Sequence, residues 1–414
     1  MKTAKIVLLS ATVIFLLSFT AFAADNSGRI YGKITTVDGD VFEGLIRWDK
    51  NEASWVDVLN GSKELPKKNR KYSDRKRYKD RDRDGSIELF GIKIGGSSSY
   101  SFSNSAQSGI RFGHIKSFEV LSDDDLLLTL KSGEEVELSN GSTDIGTDIR
   151  EIVIEDDSEG EIELTWEDIE TIEFSSARTN ESSNLGERLY GTVTTRRGDE
   201  LVGYVCWDID EVLTSDILDG DEKNRSRKVR FDKIASIERY SSNGAVVHTK
   251  RGDEMLLRGS NDVDDSNRGI IVSDNGFGQV TVPWDEFDKV VFSEPRSQVT
   301  YDDFDGGKRL EGTVYTEDGD EYSGLIRWDN DEEYTWELLN GEYHDLEYEI
   351  EFGKIKSIEK KSYRSSIVIT RDGREFRLRG SNDVDEDNKG IFIRMDDGDE
   401  VLVDWEDFAK LELK

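Results

Sequence analysis

GKITTVDGDVFEGLIRWD, residues 32–49, returns as GTVTTRRGDELVGYVCWD at 191–208 and as GTVYTEDGDEYSGLIRWD at 312–329. Each copy reads as a strand, a Gly-Asp turn and a returning strand that ends on Trp-Asp. A second block, IRFGHIKSFE at 110–119, returns as VRFDKIASIE at 229–238 and as IEFGKIKSIE at 350–359. A third, LRGSNDVDDSNRGI at 257–270, returns as LRGSNDVDEDNKGI at 378–391, and each copy closes on a Trp-acid-acid step at Trp166, Trp284 or Trp405. Self-similarity at this period means that one supersecondary unit has been copied along the chain.

The spacing places the units at 29–174, 187–293 and 308–414. Trp207 to Phe231 and Trp328 to Phe352 each span 24 residues, whereas Trp48 to Phe112 spans 64, so the first unit carries an insertion at about 63–109. Each unit is doubled again in pattern. Thr316-Glu-Asp-Gly319 aligns with Thr370-Arg-Asp-Gly373, and Phe352-Gly-Lys-Ile355 with Trp405-Glu-Asp-Phe408, at offsets of 54 and 53 residues.

Local patterning is strand throughout. Asp318-Gly319, with Gly39-Asp40 and Gly198-Asp199 at the same place, is expected to supply the positive-φ pair of a tight hairpin. Ile326 and Trp328 share a face by the period of two. Phe352, Ile355 and Ile358, spaced by three, fit a strand rolling into a short helical turn or a bulge. Many short strands with regular turns argue for small barrels or sandwiches. The fold class expected is all-β, three tandem units, each of two half-units.

GDEYSGLIRWDNDEEYTWELLNG, Gly319 to Gly341, resembles the first signature of Sm-like small barrels: a Gly turn, a strand, Gly, and an Asp-bearing strand. Phe352 to Glu359 is similar to the second signature, which closes such barrels. The resemblance implies Sm-like half-units as a fold. The family's RNA-binding Asn and the Arg-Gly of its second signature are not matched, so it implies no activity here.

The 414 residues hold 55 Lys+Arg against 89 Asp+Glu, a formal net charge of −34. Nucleic acid is thereby disfavoured, because phosphate binding needs a basic footprint. Eight Trp, 18 Phe and 14 Tyr argue for packed cores. One Cys excludes an internal disulfide framework and any Cys-built zinc site. At the start, Lys2 and Lys5 precede the apolar run Ile6 to Phe22 and the exit Ala21-Phe22-Ala23, the pattern of a secretory signal over residues 1–23. No Cys follows the cut, so the mature chain is expected to be exported, periplasmic or secreted, and not a lipoprotein.

Three features carry candidate chemistry. Alternating acids occur at Asp80, Asp82, Asp84 and Glu88, at Asp262 and Asp264, and at Asp383, Asp385 and Asp387. Calcium loops alternate oxygen ligands in this way, which makes calcium the cofactor to consider; none has the bidentate Glu at position twelve, and the alternative is a solvated turn. The insertion holds a basic run, Lys67, Lys68, Arg70, Lys71, Arg75, Lys76, Arg77 and Lys79, on an acidic chain. It suits an anionic envelope polymer, lipid headgroups, an envelope protein or the acidic face of a second copy of this chain, or else folds back on the chain's own carboxylates. The recurring Trp residues, 48, 207 and 328 with 166, 284 and 405, are expected in the core. Trp55 and Trp336, outside that set, are expected at the surface.

Enzyme signatures are missing: no Gly-x-Ser-x-Gly elbow, phosphate loop or His-Glu-x-x-His occurs. His114, His248 and His344 share no repeat position, and Cys206 replaces Arg47 and Arg327 as a strand residue. The sequence therefore points to a non-catalytic binding or scaffolding protein of the envelope. The rival readings are a polysaccharide-binding or polysaccharide-hydrolysing protein using Asp/Glu and exposed Trp, and a self-assembling protein.

Overall fold

The computed structural model describes residues 25–65, 105–178 and 183–414, together with the backbone of two short strands, Ile87–Leu89 and Ile92–Ile94. The leader at 1–23, the basic run from Lys67 to Lys79, and Asp80, Asp82, Asp84 and the Glu88 side chain lie outside the description. The fold is all-β. Strands run antiparallel in sheets of ten, ten and eight, with separate two-stranded hairpins, and the described residues include no α-helix.

The last third of the chain shows how a unit is built. Phe408–Leu413, Glu311–Thr316, Glu321–Arg327, Ile391–Arg394 and Glu400–Val403 pair in that order as one five-stranded wing. Ile355–Ser362, Ser365–Thr370 and Glu375–Leu378 form the start of a second wing, which a bridge between Glu342 and Arg379 extends to the hairpin Leu338–Tyr343 and Leu346–Glu351. The wings join where Ile355–Ser362 meets Phe408–Leu413. The doubling legible in the sequence thus takes an exchanged form: each wing draws strands from both halves of the unit, and the halves share one sheet. The same pairings recur in the first unit, where Tyr31–Thr36 lies between Val41–Trp48 and Ile169–Phe174, and in the second, where Tyr190–Thr195 lies between Glu200–Cys206 and Phe287–Phe292.

The short helical turn expected at Phe352 is a 3-10 turn, Phe352–Lys354, repeated at Phe112–His114 and Phe231–Lys233. The first hairpin differs from expectation. Only the glycine has positive φ, 86° at Gly39, 90° at Gly198 and 91° at Gly319, and Gly39 N–H donates to Thr36 O while Thr36 N–H donates to Asp40 O. This is a longer turn closed by a left-handed glycine, as in three-residue hairpin loops. Consecutive positive-φ residues occur instead just after the Trp, at Asp49-Lys50, Asp208-Ile209 and Asp329-Asn330, and in two later hairpin turns, at Lys223-Asn224 and His344-Asp345.

Trp48, Trp207 and Trp328 are fully buried, and each donates its indole N–H to a main-chain carbonyl, of Asp144, Asp262 and Asp383 respectively, at 2.9, 2.9 and 3.0 Å. Each meets its unit's second Trp at 6.3 Å between ring centroids, close to edge-on. The six recurring tryptophans are core. Trp55 and Trp336 are not surface residues: they are 0% and 1% exposed, and Trp55 packs 4.6 Å from Tyr301, in the segment linking the second and third units. That segment lies across the first unit, with Tyr301 Oη donating to Ile115 O and Gly306 N–H to His114 Nδ1.

The units are joined by more than side chains. Gly278–Val282 of the second pairs with Leu346–Glu351 of the third as a continuous antiparallel ladder. At the centre Arg111 of the first unit, fully buried, donates to Asp274 O of the second at 2.8 Å and lies 3.7 Å from Glu351 of the third.

The recurring glycine before the Leu/Tyr-x-x-Trp strand has a steric cause. A methyl group on Gly44, Gly203 or Gly324 would lie 1.9, 2.3 or 2.2 Å from a carbonyl oxygen of the facing strand. Gly324→Ala is therefore expected to cost about 1–3 kcal/mol through forced strand displacement, read as a lowered thermal midpoint in circular dichroism, whereas Gly319→Asn at the open turn meets no neighbouring atom and is expected to cost only the strain of its positive φ, about 1 kcal/mol.

Candidate functional site

After each Trp the chain makes its left-handed turn and then places a carboxylate that serves two masters. Asp57 Oδ2 accepts the main-chain N–H of Ala53 and of Ser54, both at 2.8 Å; Asp216 Oδ2 does the same for Val212 and Leu213, and Glu337 Oε2 for Glu333 and Tyr334. Each also receives a cationic side chain from a different unit. Arg188 makes a two-pronged contact with Asp57 (2.9 and 3.2 Å), Arg47 makes one with Asp216 (2.8 and 3.2 Å), and Lys63 pairs with Glu337. The first two contacts are reciprocal between units one and two, with Ala53, Cys206, Val212 and Leu213 packed between them.

Beside this carboxylate sits a second, deeper group: Asp49, Glu52 and Asp144 in the first unit, Asp208, Glu211 and Asp262 in the second, Asp329, Glu332 and Asp383 in the third. Asp144, Asp262 and Asp383 accept the N–H of Asn60, Asp219 and Asn340 at 2.8, 2.6 and 2.7 Å, tying the hairpin to the loop. Asp49, Asp208 and Asp329 bind Arg150, Arg268 and Lys389. Burial is the main force on their protonation. It pushes Asp144 up to about 7 and Asp262 up to about 7 against the N–H each accepts, and, with Asp262 and Asp210 near, Glu211 up to about 10. Glu52 and Glu332 are raised well above the carboxylate range by burial and by the neighbouring acids. At the three-unit junction the balance reverses: burial opposes ionisation of Glu351, but His114 and Arg111 outweigh it and hold that carboxyl down at about 2.

Between the first two units these groups border a cavity of about 440 Å³. Glu52, Asp144, Asn60, Arg150, Arg188 and Arg268 supply its polar wall, and Val58, Ile209 and Ile271 its apolar one. Ile209 is held at φ 55°, a conformation costly for a β-branched residue and of the kind that gathers at ligand sites. Cys206 also lines the cavity; it is 3% exposed, and burial pushes its thiol well up, which favours the protonated form.

The alternating-acid loops divide their roles. Asp262 and Asp383 turn inward into the groups just described, while Asp264 caps its own turn through Ser266 (Ser266 N–H to Oδ1, 3.0 Å) and Asp385 through Asp387 N–H (3.0 Å); Asp387 is exposed. Among the described residues the three ligating side chains that come within 4.8 Å of one another are Asp208, Glu211 and Asp262, so one loop acid joins two acids from the turn after Trp207. The Arg268 guanidinium already spans Asp208 and Asp210 there, at 3.0 and 3.1 Å. Sequence reading missed Glu52, Asp57 and their counterparts. The signal was present, since an acid recurs nine residues after each Trp, at Asp57, Asp216 and Glu337.

No known protein family matches the sequence, and neither characterised proteins nor solved structures give a match. No helix among the described residues is long and apolar enough to cross a membrane.

Arg188→Ala leaves Asp57 buried without its counter-ion, and is expected to cost about 3–5 kcal/mol in urea unfolding. The pH dependence follows from the raised carboxyls. A group whose folded pKa lies above its unfolded value stabilises below the unfolded value and loses that contribution as pH rises through the folded one. For Asp262, facing Asp208, Asp210, Asp219 and Arg268, the window is about pH 4 to about 7. Thermal midpoints should therefore fall between pH 5 and pH 8, and Asp262→Asn should flatten that fall; an unchanged slope in the variant contradicts the assignment.

Proposed function

We propose that the chain is a non-catalytic binding protein of the cell envelope, exported by its leader, in which the units form a rigid frame around a ligand cavity. One observation supports this above the others. The carboxylates with raised proton affinity recur in all three units with the same hairpin-tying hydrogen bonds, including the third, where the recess beside Glu332 measures only about 20 Å³. Groups repeated without a cavity are explained by the fold, and what differs at the first unit is the space.

The basic run from Lys67 to Lys79 gives the same molecule a second contact, for an anionic envelope polymer or an acidic protein surface, a second copy of this chain included. Two modest sites in one chain reinforce each other through effective concentration. A hydrolytic reading has one observation in its favour, the presence of Glu52 and Asp144 on one cavity wall, and it requires turnover of an envelope polysaccharide that Asp144→Asn abolishes.

Deleting residues 67–83 is expected to lower retention on dextran sulfate at least tenfold at low salt without moving the thermal midpoint; equal retention removes the basic run from the proposed function.

A further inference from the structure

The ladder between the second and third units has a counterpart that is left unmade. Gly278–Val282, the closing strand of the second unit, lies on Leu346–Glu351 of the third unit's hairpin and pairs Gly278 with Ile350, Gln279 with Glu349 and Val280 with Tyr348. By repeat position the first unit would offer Gly160–Leu164 to Arg225–Arg230 of the second in the same way. It does not. Those units meet through the reciprocal contacts of Arg47 with Asp216 and of Arg188 with Asp57, and each of the two strands is the last of its sheet. Both edges are exposed, apart from the half-buried Ile162 and Val229 and the buried Leu164.

The two edges fit each other in space and in charge. Carried over residue by residue, the existing register sets Gly160 opposite Val229, Glu161 opposite Lys228, Ile162 opposite Arg227 and Glu163 opposite Ser226. The glycine is the demanding position. A methyl group on Gly278 would lie 1.9 Å from Glu349 O, so a strand joining in this way needs glycine there, and at Gly160 no atom lies within 4 Å of the same point. Across the existing ladder Gln279 donates to the Glu349 carboxylate. The matching pair, Glu161 and Lys228, is of opposite charge, and neither has an ion-pair partner among the described residues. One step further, where Glu351 N–H donates to Phe277 O, the counterparts are Arg230 and Glu159.

Other pairings are opposed. Glu400–Val403, the third unit's closing strand, carries Asp399 where the ladder takes glycine. Ser105–Arg111, the first unit's counterpart of the receiving strand, has its last four residues buried. Two copies of Gly160–Leu164 would bring Glu beside Glu, and two of Arg225–Arg230 would bring Arg and Lys together, the device by which charged edges refuse their own kind. What such an edge admits is a strand of the opposite sign.

We propose that Gly160–Leu164 of one molecule adds as an antiparallel strand to Arg225–Arg230 of a second copy of this chain, with Glu161 against Lys228. Main-chain hydrogen bonds supply the attraction, and the charge pairs fix partner and register. Every copy carries both edges. The contact goes beyond the binding-protein reading and does not use the basic run at 67–79.

Sedimentation velocity of the full chain tests this between about 1 and 200 µM in about 0.15 M salt, where charges more than about 8 Å apart are screened and a touching pair is not. The sedimentation coefficient should rise with concentration. Glu161→Lys and Lys228→Glu should each weaken self-association about threefold to thirtyfold by setting like charges opposite. The chain carrying both substitutions should regain it, because the pair is restored with its signs exchanged. Both positions are exposed, so the thermal midpoint should stay in place. A constant sedimentation coefficient, single reversals that associate as the unaltered chain does, or a double variant that fails to recover overturns the proposal. Loss of association on deletion of 67–83, with Glu161→Lys unaffected, also overturns it and assigns self-association to the basic run.

Discussion

A buried carboxylate that closes its own loop and grips a cation from elsewhere in the chain organises this molecule. Asp57, Asp216 and Glu337 each hold two main-chain N–H groups of the turn after the Trp, groups that would otherwise be unpaired in the interior. With the loop fixed, the remaining lone pairs face the neighbouring unit, where a guanidinium or ammonium meets them. An ion pair this far from water is a weak source of net stability but a strong source of specificity, because every misplaced arrangement leaves a charge stranded. The relative placement of the units, and so the cavity between them, follows from which cation reaches which loop.

Much of the frame was legible before any coordinates. The Gly-Asp turns, the Trp at the end of the returning strand and the three-residue step after Phe352 all lie where local pattern put them, because each is decided by neighbours within a few positions. The burial of the repeated tryptophans was readable for the same reason. Trp55 and Trp336 were misread because their cover is distant in sequence: Tyr301 for Trp55, and Gly307, on which any side-chain atom would strike the ring of Trp336. The exchange of strands between half-units was also out of reach, since pattern reports which residues form a strand and not which partner it takes.

The candidate site was half visible. Asp262 and Asp383 drew attention as members of alternating-acid loops, yet their partners lie 43 residues away, at Asp219 and Asn340, across a hairpin whose register no local rule sets. Arg47 and Asp216 are separated by 169 residues. Composition misleads in a related way. The formal charge counts every acid as ionised, but Glu211 at about 10 and Glu349 at about 8 hold their protons at neutral pH, so part of the acidity written in the sequence is interior hydrogen-bonding material.

The ladder between Gly278–Val282 and Leu346–Glu351 has an implication for how the molecule can be taken apart. Although the repeats suggest beads that scissors could separate, a cut in the stretch joining the second bead to the third would strip both of a paired border and bare rows of main-chain donors and acceptors, a template for clumping. The repeats are copies in sequence, but as material they are one woven cloth, and a fragment is expected to fray rather than stand alone.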